Sequence, residues 1–188
     1  MNKLVRLLGA AFITIAILAA VLLSISVANY NNVTETRVRL PENIYISEIR
    51  IPEIDDESVD VTMSVFFNVT NPSRIAVYIT SIESYVYMND LSDPRPFQEK
   101  RDDLLVGVAQ FTLPKEQSYL VKPGKSLTIP VNLTVSGGTR YVSILNTTSD
   151  GKYYPIIEGS LRYTYENVDI IEVVRGVIYY GPPVEPYK

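Results

Sequence analysis

Residues 59–69 read VDVTMSVFFNV, and an apolar side chain occupies every odd position of this stretch. Polar side chains fill four of the five even positions: Asp60, Thr62, Ser64 and Asn68. Alternation with a period of two is typical of a strand with one face on a core and the other in solvent. Residues 127–135, LTIPVNLTV, have the same pattern. Both stretches therefore predict half-buried β-strands.

Turn signals flank these two strands. Asn71-Pro72-Ser73 follows the first strand, and Lys122-Pro123-Gly124-Lys125 precedes the second. Pro130 has no N–H group, so the second strand is predicted to be a sheet edge, or bulged, at that residue. Weaker strands are predicted at residues 44–51, 75–80, 82–88, 110–113, 156–165 and 173–180. Several short strands separated by turns indicate an all-β antiparallel sandwich.

Three segments depart from the strand pattern. Tyr141, Ile144 and Leu145 have the spacing i, i+3, i+4, which predicts one short helix within residues 139–147. Residues 90–110 are charged and contain prolines, so we expect a long loop or insertion there. Residues 182–188 contain three further prolines and are predicted to form an extended C-terminal tail after a sandwich domain at 40–181.

The N-terminal segment predicts a membrane span. Residues 7–27 read LLGAAFITIAILAAVLLSISV without a charge, and a helix of this length covers about 30 Å, the thickness of the bilayer's hydrocarbon core. Lys3 and Arg6 precede it, and the next charged residue is Glu35. The positive-inside rule then gives a cytoplasmic N-terminus (1–6), a single transmembrane signal anchor (7–28) that contacts membrane lipid, a juxtamembrane linker (29–39) and a domain outside the cell membrane.

Two alternatives compete with a retained anchor. A signal peptide could be cleaved after Ala28, because Ser26 and Ala28 place small residues at the −3 and −1 positions. The apolar run exceeds the roughly 7–15 residues of a signal peptide's core, which favours retention. A pilin-like leader is the third interpretation, although the segment before the apolar run has no obvious processing site.

Charge and composition exclude several classes of function. The formal net charge is −4, and without Lys3 and Arg6 the rest of the chain has 15 basic and 21 acidic residues, or −6. Such a domain repels phosphate backbones, so no nucleic-acid partner is expected. Cysteine and histidine are absent, which excludes disulfides, thiolate nucleophiles, a Ser-His-Asp triad and ordinary zinc sites. We therefore expect no enzyme, no metal and no cofactor.

The site residues that the sequence offers are acceptors for N-glycosylation. Four Asn-x-Ser/Thr sequons without proline are present, and two of their asparagines lie on the polar faces of the alternating strands, where a glycan would meet solvent. In a host that glycosylates exported proteins, we expect sugar on some of Asn32, Asn68, Asn132 and Asn146.

Three weaker patterns favour structural interpretations. The acidic run Glu53, Asp55, Asp56, Glu57 and Asp60 could bind calcium, but it lacks glycine-centred spacing and is typical of a solvated turn. Carboxylate pairs elsewhere could suggest a glycosidase, for which a small sandwich offers no obvious cleft. The many tyrosines could form a recognition surface, although cross-strand packing is the commoner role.

The order of these features resembles the late-embryogenesis-abundant type 2 family, whose core is the water-stress-and-hypersensitive-response domain. The resemblance covers about residues 40–180 and rests on four stretches: Pro41-Glu42-Asn43-Ile44, residues 59–89 with Asn71-Pro72 after the long strand, residues 119–135, and residues 157–161. It implies a seven-stranded immunoglobulin- or fibronectin-like sandwich with one short helix, no catalytic residues and a role in desiccation and stress tolerance. Residues 90–110 depart from the compact family pattern.

Together these patterns predict a membrane-anchored, non-enzymatic β-sandwich outside the cytoplasm. Its expected role is structural or interactive, as a component of the cell envelope or as an accessory subunit beside a protein partner. A stress protectant of the type 2 kind is the first alternative, and a subunit of a surface filament is the second. The sequence does not specify the partner or the oligomeric state.

Overall fold

A computed structural model of the chain describes residues 2–50, 60–90, 92–136, 153–166, 168 and 170–180. Within these ranges a long N-terminal helix leads into two antiparallel sheets, and one further helix follows the third strand. The two sheets enclose a common apolar core. The predicted all-β, sandwich-like architecture with a preceding apolar helix is confirmed at this level.

The first sheet has the order β1-β2-β6, and the second has the order β4-β3-β7-β8 with β5 also paired to β3. Short 3-10 turns occupy Pro41–Asn43 and Lys115–Gln117. The helices and strands are α1 (Asn2–Arg39), β1 (Ile44–Arg50), β2 (Asp60–Thr70), β3 (Val77–Asp90), α2 (Phe97–Leu104), β4 (Leu105–Thr112), β5 (Tyr119–Val121), β6 (Ser126–Ser136), β7 (Tyr153–Tyr165) and β8 (Ile171–Tyr180).

The two strongly alternating stretches pair with each other as β2 and β6. Val65 lies opposite Val131 and Phe67 opposite Ile129, and these four side chains are buried. Pro130 lies opposite Phe66 without a shift in register. Because β6 ends its sheet among the described strands, the edge position predicted for Pro130 is confirmed, and no bulge is needed there.

The two sheets are in close contact at Phe67 and Gly159. A Cβ atom on Gly159 would lie 2.5 Å from Cε1 of the Phe67 ring, so only glycine leaves room for that ring. On β7 the neighbouring inward residues are Ile157 and Leu161, both fully buried. The core is therefore built from the odd positions of β2, β6 and β7 together.

The two predicted turns bind each other. Asn71 is fully buried, and its side-chain amide donates to the carbonyl oxygens of Ile75 (2.8 Å) and Val121 (2.9 Å). Its backbone N–H donates to Lys125 O, and its carbonyl accepts from Gly124 N–H. Gly124 has φ of +66°, as a type II turn requires at its third residue. The hydrogen bonds at Asn71 thus join the end of β2 to the start of β6.

The prediction of a loop over residues 90–110 is wrong. This segment contains α2 and most of β4, and β3 is one strand where two shorter ones were expected. The charges of α2 obscure its apolar contacts: Phe97 packs edge-to-face on Tyr87 with ring centroids 5.4 Å apart. Inward positions of β4 carry the small residues Gly107 and Ala109, so its alternation is weak in the sequence.

Helix α1 continues through residues 29–39, which were predicted as a linker. Its end packs on the sandwich: Thr36 and Leu40 are fully buried, and Val33 contacts the core. Arg37 Nε lies 3.5 Å from a carboxylate oxygen of Glu172 in β8. The helix therefore joins the domain through packed side chains. The predicted short helix at 139–147 and the tail at 182–188 lie outside the described residues.

Candidate functional site

A groove of about 330 Å³ lies on the outer face of the second sheet. It crosses β3, β7 and β8, and α2 closes one end through Arg101. We call it the sheet groove. The residues that carry its polar chemistry are Glu83, Tyr85, Arg101, Glu158, Arg162 and Arg175.

The groove faces outward because the side chains of β7 point alternately to the core and to the outer face of the sheet. Ile157, Leu161 and Tyr163 are buried in the core, so the residues between them, including Glu158 and Arg162, lie on the opposite face. Ser160 shares that face and also lines the groove.

A β-bulge in β8 determines on which face of the sheet Arg175 lies. The register between β7 and β8 shifts at Gly159 and Ser160, and Gly176 is the extra residue, with φ of +74°. Val174 and Val177 are three residues apart, yet both are buried, because Gly176 absorbs one position. Arg175 therefore stays on the outer face beside Ser160, its partner across the strands.

Arg101 fixes α2 against the sheet. Its guanidinium donates from Nε to Tyr87 Oη at 2.9 Å and from Nη2 to a carboxylate oxygen of Glu158. The hydrogen bond to Tyr87 raises the pKa of Arg101, so the guanidinium remains charged. Glu158 is thus neutralised by a partner from another element.

Glu83 has a different partner. Tyr85 donates its hydroxyl to Glu83 Oε1 at 2.5 Å, and this hydrogen bond raises the pKa of Tyr85. Ser160 Oγ lies 3.5 Å from the second carboxylate oxygen. Both carboxylates of the groove therefore act as hydrogen-bond acceptors held in fixed positions.

Arg162 and Arg175 are the two arginines of the groove that form no ion pair with the described residues. Both side chains are exposed. Within the described part of the chain neither of them forms an ion pair, unlike Arg101 beside them. The groove therefore combines two accepting carboxylates with two guanidiniums that are open to a ligand.

The predicted glycosylation sites fall in different surroundings. Asn132 is exposed on the outer face of β6, where its Oδ1 accepts from Ser64 Oγ at 2.8 Å. Asn68 is half-buried, and its Oδ1 is buried without a partner. Asn32 is half-buried on α1, and Asn146 lies outside the described residues. The structure thus gives Asn132 the most open setting of the three that it describes.

The weaker candidates are only partly described. Of the acidic run from Glu53, only Asp60 belongs to a described element, β2. Among the residues that the structure describes, no three His, Cys, Asp or Glu side chains are grouped to hold a metal ion. Several tyrosines pack as expected: Tyr163 and Tyr165 are buried with ring centroids 5.6 Å apart.

The sequence reasoning missed the sheet groove, since its residues lie far apart along the chain. Glu83 and Glu158 meet only through the pairing of β3 with β7, and Arg101 joins them only through α2. One signal was present in the sequence. The outward positions Glu158, Ser160 and Arg162 are uniformly polar within an otherwise apolar strand.

The apolar part of α1 is a second candidate functional element. One described helix is long and apolar enough to cross a membrane, and its span is Leu7–Arg39. The most apolar window of this span is unburied, and large side chains such as Phe12 and Leu23 are exposed. A lipid bilayer would cover this surface.

No family model matches the chain, and no curated protein sequence matches it. Solved structures that are similar include a protein from Archaeoglobus fulgidus, at 9% identity and TM-score 0.43, over 72% of this chain and 94% of that one. A bacterial adhesin from Mobiluncus mulieris is similar at 12% identity and TM-score 0.33, over 77% and 51%. The Salmonella enterica trimeric lipoprotein SadB is similar at 15% identity and TM-score 0.28, over 72% and 84%. At these values the likeness assigns no function.

Proposed function

We propose that the chain is a single-pass membrane protein that holds a non-enzymatic binding domain outside the cytoplasm, in the cell envelope or beside a membrane complex. Residues 7–28 lie in lipid, and residues 1–6 stay on the cytoplasmic side. The observation that carries the proposal is α1, whose exposed apolar surface continues without a break into a helix end buried in the sandwich.

The continuity of α1 supports a retained anchor over a cleaved signal peptide. Residues 26–28 are helical, and α1 continues eleven residues beyond them to Arg39. A protease must bind its cleavage site in an extended form, so cutting after Ala28 would require local unfolding of this helix.

Both carboxylates of the groove already have hydrogen-bond partners within the protein, which supports a binding role rather than catalysis. Glu158 is held by Arg101, and Glu83 accepts a hydrogen bond from the hydroxyl group of Tyr85. A glycosidase needs one carboxyl group as a proton donor and the other as a base or nucleophile. In this groove both carboxylates already bind side chains of the protein, and neither is left without a partner to serve as that donor or nucleophile.

We also propose that the sandwich is of the immunoglobulin or fibronectin kind. Strand β1 pairs with β2, which pairs with the late strand β6, while β3 pairs in the other sheet with β7, which pairs with β8. Immunoglobulin domains likewise place strands A, B and E in one sheet and C, F and G in the other.

Protease protection of intact cells tests the topology. Protease added outside is expected to remove the domain and leave a tag before Lys3 intact. Digestion of the tag with protection of the domain would reverse the proposed orientation. The intact mass of the purified protein tests retention, because cleavage after Ala28 removes about 3 kDa, at roughly 110 Da per residue.

Co-purification from native membranes in mild detergent tests the binding role. We expect a stoichiometric protein partner with the wild type. Purification of the chain alone, together with protection of dried enzymes by it, would favour the stress-protectant alternative suggested by the type 2 resemblance. Assembly of the chain into fibres visible by electron microscopy would favour a filament subunit.

A further inference from the structure

We propose that the sheet groove binds an acidic saccharide, a sugar unit with one carboxylate and neighbouring hydroxyl groups. This inference rests on the proposed binding function and specifies its ligand. The volume of about 330 Å³ is at the lower end of sites that hold small ligands. The chemistry of the groove provides the argument.

The carboxylate would bind between Arg162 and Arg175. The two residues lie on neighbouring strands: Arg162 is opposite Val173, and Arg175 is opposite Ser160. Both arginines line the groove, on the same face of the sheet. A guanidinium presents parallel N–H donors that match the two oxygens of a carboxylate, and such pairs are among the stronger hydrogen bonds in proteins.

The hydroxyl groups would bind at the other side. An ionised carboxylate offers about four acceptor positions, and the hydrogen bonds from Tyr85 and Ser160 use only some of those on Glu83. Glu158 also lines the groove while Arg101 holds its position. Fixed acceptors of this kind select ligands rich in O–H donors, which sugars are.

The remaining lining suits the apolar faces of a sugar ring. Val173 and Ile178 border the groove and are about half exposed, at 45% and 44%. A sugar ring has C–H faces that can cover such side chains, and the side chain of Tyr85 lies in the same lining.

An acidic peptide fits the groove less well. A run of carboxylates would meet Glu83 and Glu158 as well as the arginines, and the chain beyond Arg6 carries a net charge of −6. Like charges repel at these short distances. A sugar with carboxylates separated by hydroxyl-bearing rings can place one carboxylate at the arginines and its hydroxyl groups at the two glutamates.

Isothermal titration of the full chain in phosphatidylcholine nanodiscs tests the inference. The acidic probe is a galacturonic acid trisaccharide, the neutral probe is maltotriose, and the peptide probe is hexaglutamate. We expect the acidic trisaccharide to bind at least about tenfold more tightly than either other probe, because only this probe offers both a carboxylate for the arginines and hydroxyl groups for the glutamates.

Matched double variants assign the site. Replacement of both groove arginines, Arg162→Gln with Arg175→Gln, is expected to weaken binding of the acidic trisaccharide by about tenfold or more. The control, Lys122→Gln with Lys125→Gln, removes the same charge from the exposed turn before β6 and should leave binding unchanged. Thermal melts of both variants check that the domain is folded.

Each contrary result has a distinct meaning. Equal binding of maltotriose, equal loss in both double variants, or no binding of the trisaccharide would overturn the saccharide site and leave the anchored topology untouched. Binding of hexaglutamate in place of the sugar would make the groove a site for acidic peptides. Hydrolysis of the trisaccharide would overturn the proposed non-enzymatic role itself.

Discussion

Phe66 and Phe67 are adjacent in β2 but face opposite sides of the first sheet. Phe67 is fully buried against Gly159, whereas Phe66 is half-buried on the outer face under the Arg50 guanidinium, 4.7 Å from the ring centroid. We predict that Phe67→Ala lowers the free energy of unfolding by about 3–5 kcal/mol. Phe66→Ala should cost only about 1 kcal/mol, the loss of one exposed cation–π contact.

Urea unfolding of the full chain in micelles, followed by tyrosine fluorescence, measures both costs. The matched chemistry of the two substitutions removes differences in side-chain size from the comparison. Equal costs would mean that the sheet faces had been assigned incorrectly.

The pKa of the Asp93 carboxyl group gives a prediction that a titration can test. Arg95 donates to both of its carboxylate oxygens, from Nε to Oδ1 at 3.2 Å and from Nη2 to Oδ2 at 2.7 Å, and this contact lowers the pKa of Asp93 to about 2 from 3.8. The folded pKa lies below the ordinary value, so the contribution to stability is present above about pH 3.8 and is lost as the pH falls through about 2.

Carboxyl NMR titration of the full chain measures this directly. In Arg95→Gln we expect the pKa of Asp93 to rise toward 3.8, with no change in the sheet signals. An unchanged midpoint in the variant would show that Arg95 is not the cause of the shift.

The packing of the end of α1 on the sandwich was not predicted from the sequence. Leu40, just after the helix, is fully buried, whereas Val38 is 64% exposed. Leu40→Ala is expected to lower the free energy of unfolding by about 2–5 kcal/mol because it leaves a cavity in the core. Val38→Ala should change it by less than about 0.5 kcal/mol, as a surface substitution does.

Denaturation of the two variants under identical detergent conditions provides the check. A small effect of Leu40→Ala would mean that the helix end and the sandwich are independent units, as the predicted linker at 29–39 implied.

The strands that the sequence predicted best are those whose apolar residues are large and strictly alternating, such as β2 and β6. Helix α2 and strand β4 were missed for physical reasons. Phe97 is the main apolar contact of α2, and the small inward residues Gly107 and Ala109 leave β4 without a clear apolar face. Small residues pack well against a neighbouring layer but give little periodic signal.

Residues 93–103 are held in the domain by several contacts. Phe97 covers Tyr87, which is only 3% exposed, and Lys100 is buried with its Nζ donating to Asp93 O at 2.9 Å. Removing the segment would uncover part of the outer sheet face and break the contact between Arg101 and Glu158.

The whole molecule has two ends. Leu40 and the ion pair between Arg37 and Glu172 mark the end near α1, where β3 begins beside β5. Helix α2 lies about eight residues further along β3, roughly 25 Å away at the rise of a strand. We therefore expect α2 and the nearby groove to be held at a fixed height above the membrane.

The absence of cysteine from the sequence allows a direct measurement of that height. A donor dye on Gln98→Cys, an exposed position of α2, can be paired with an acceptor dye on lipid headgroups. We predict a narrow distance distribution for the wild-type helix. Replacement of residues 29–32 by Gly-Ser-Gly-Ser should broaden it, because a flexible segment would then separate the membrane from the docked helix end.

The variant Lys122→Gln with Lys125→Gln leaves α1 unchanged. Without a dye, it gives the background fluorescence for the labelled samples. Equal widths in the continuous and interrupted helices would show that α1 does not set the position of the domain.

The contact between Arg37 and Glu172 also bears on the timing of synthesis. Arg37 and Glu172 are 135 positions apart in the sequence (172 − 37), so α1 leaves the ribosome long before β8 does. Contacts between residues so distant in the chain form late and slowly. A chain halted before β8 would remain open along β7 and leave the docked end of α1 without its partner strand. The domain therefore closes onto the helix only after β8 has been synthesised.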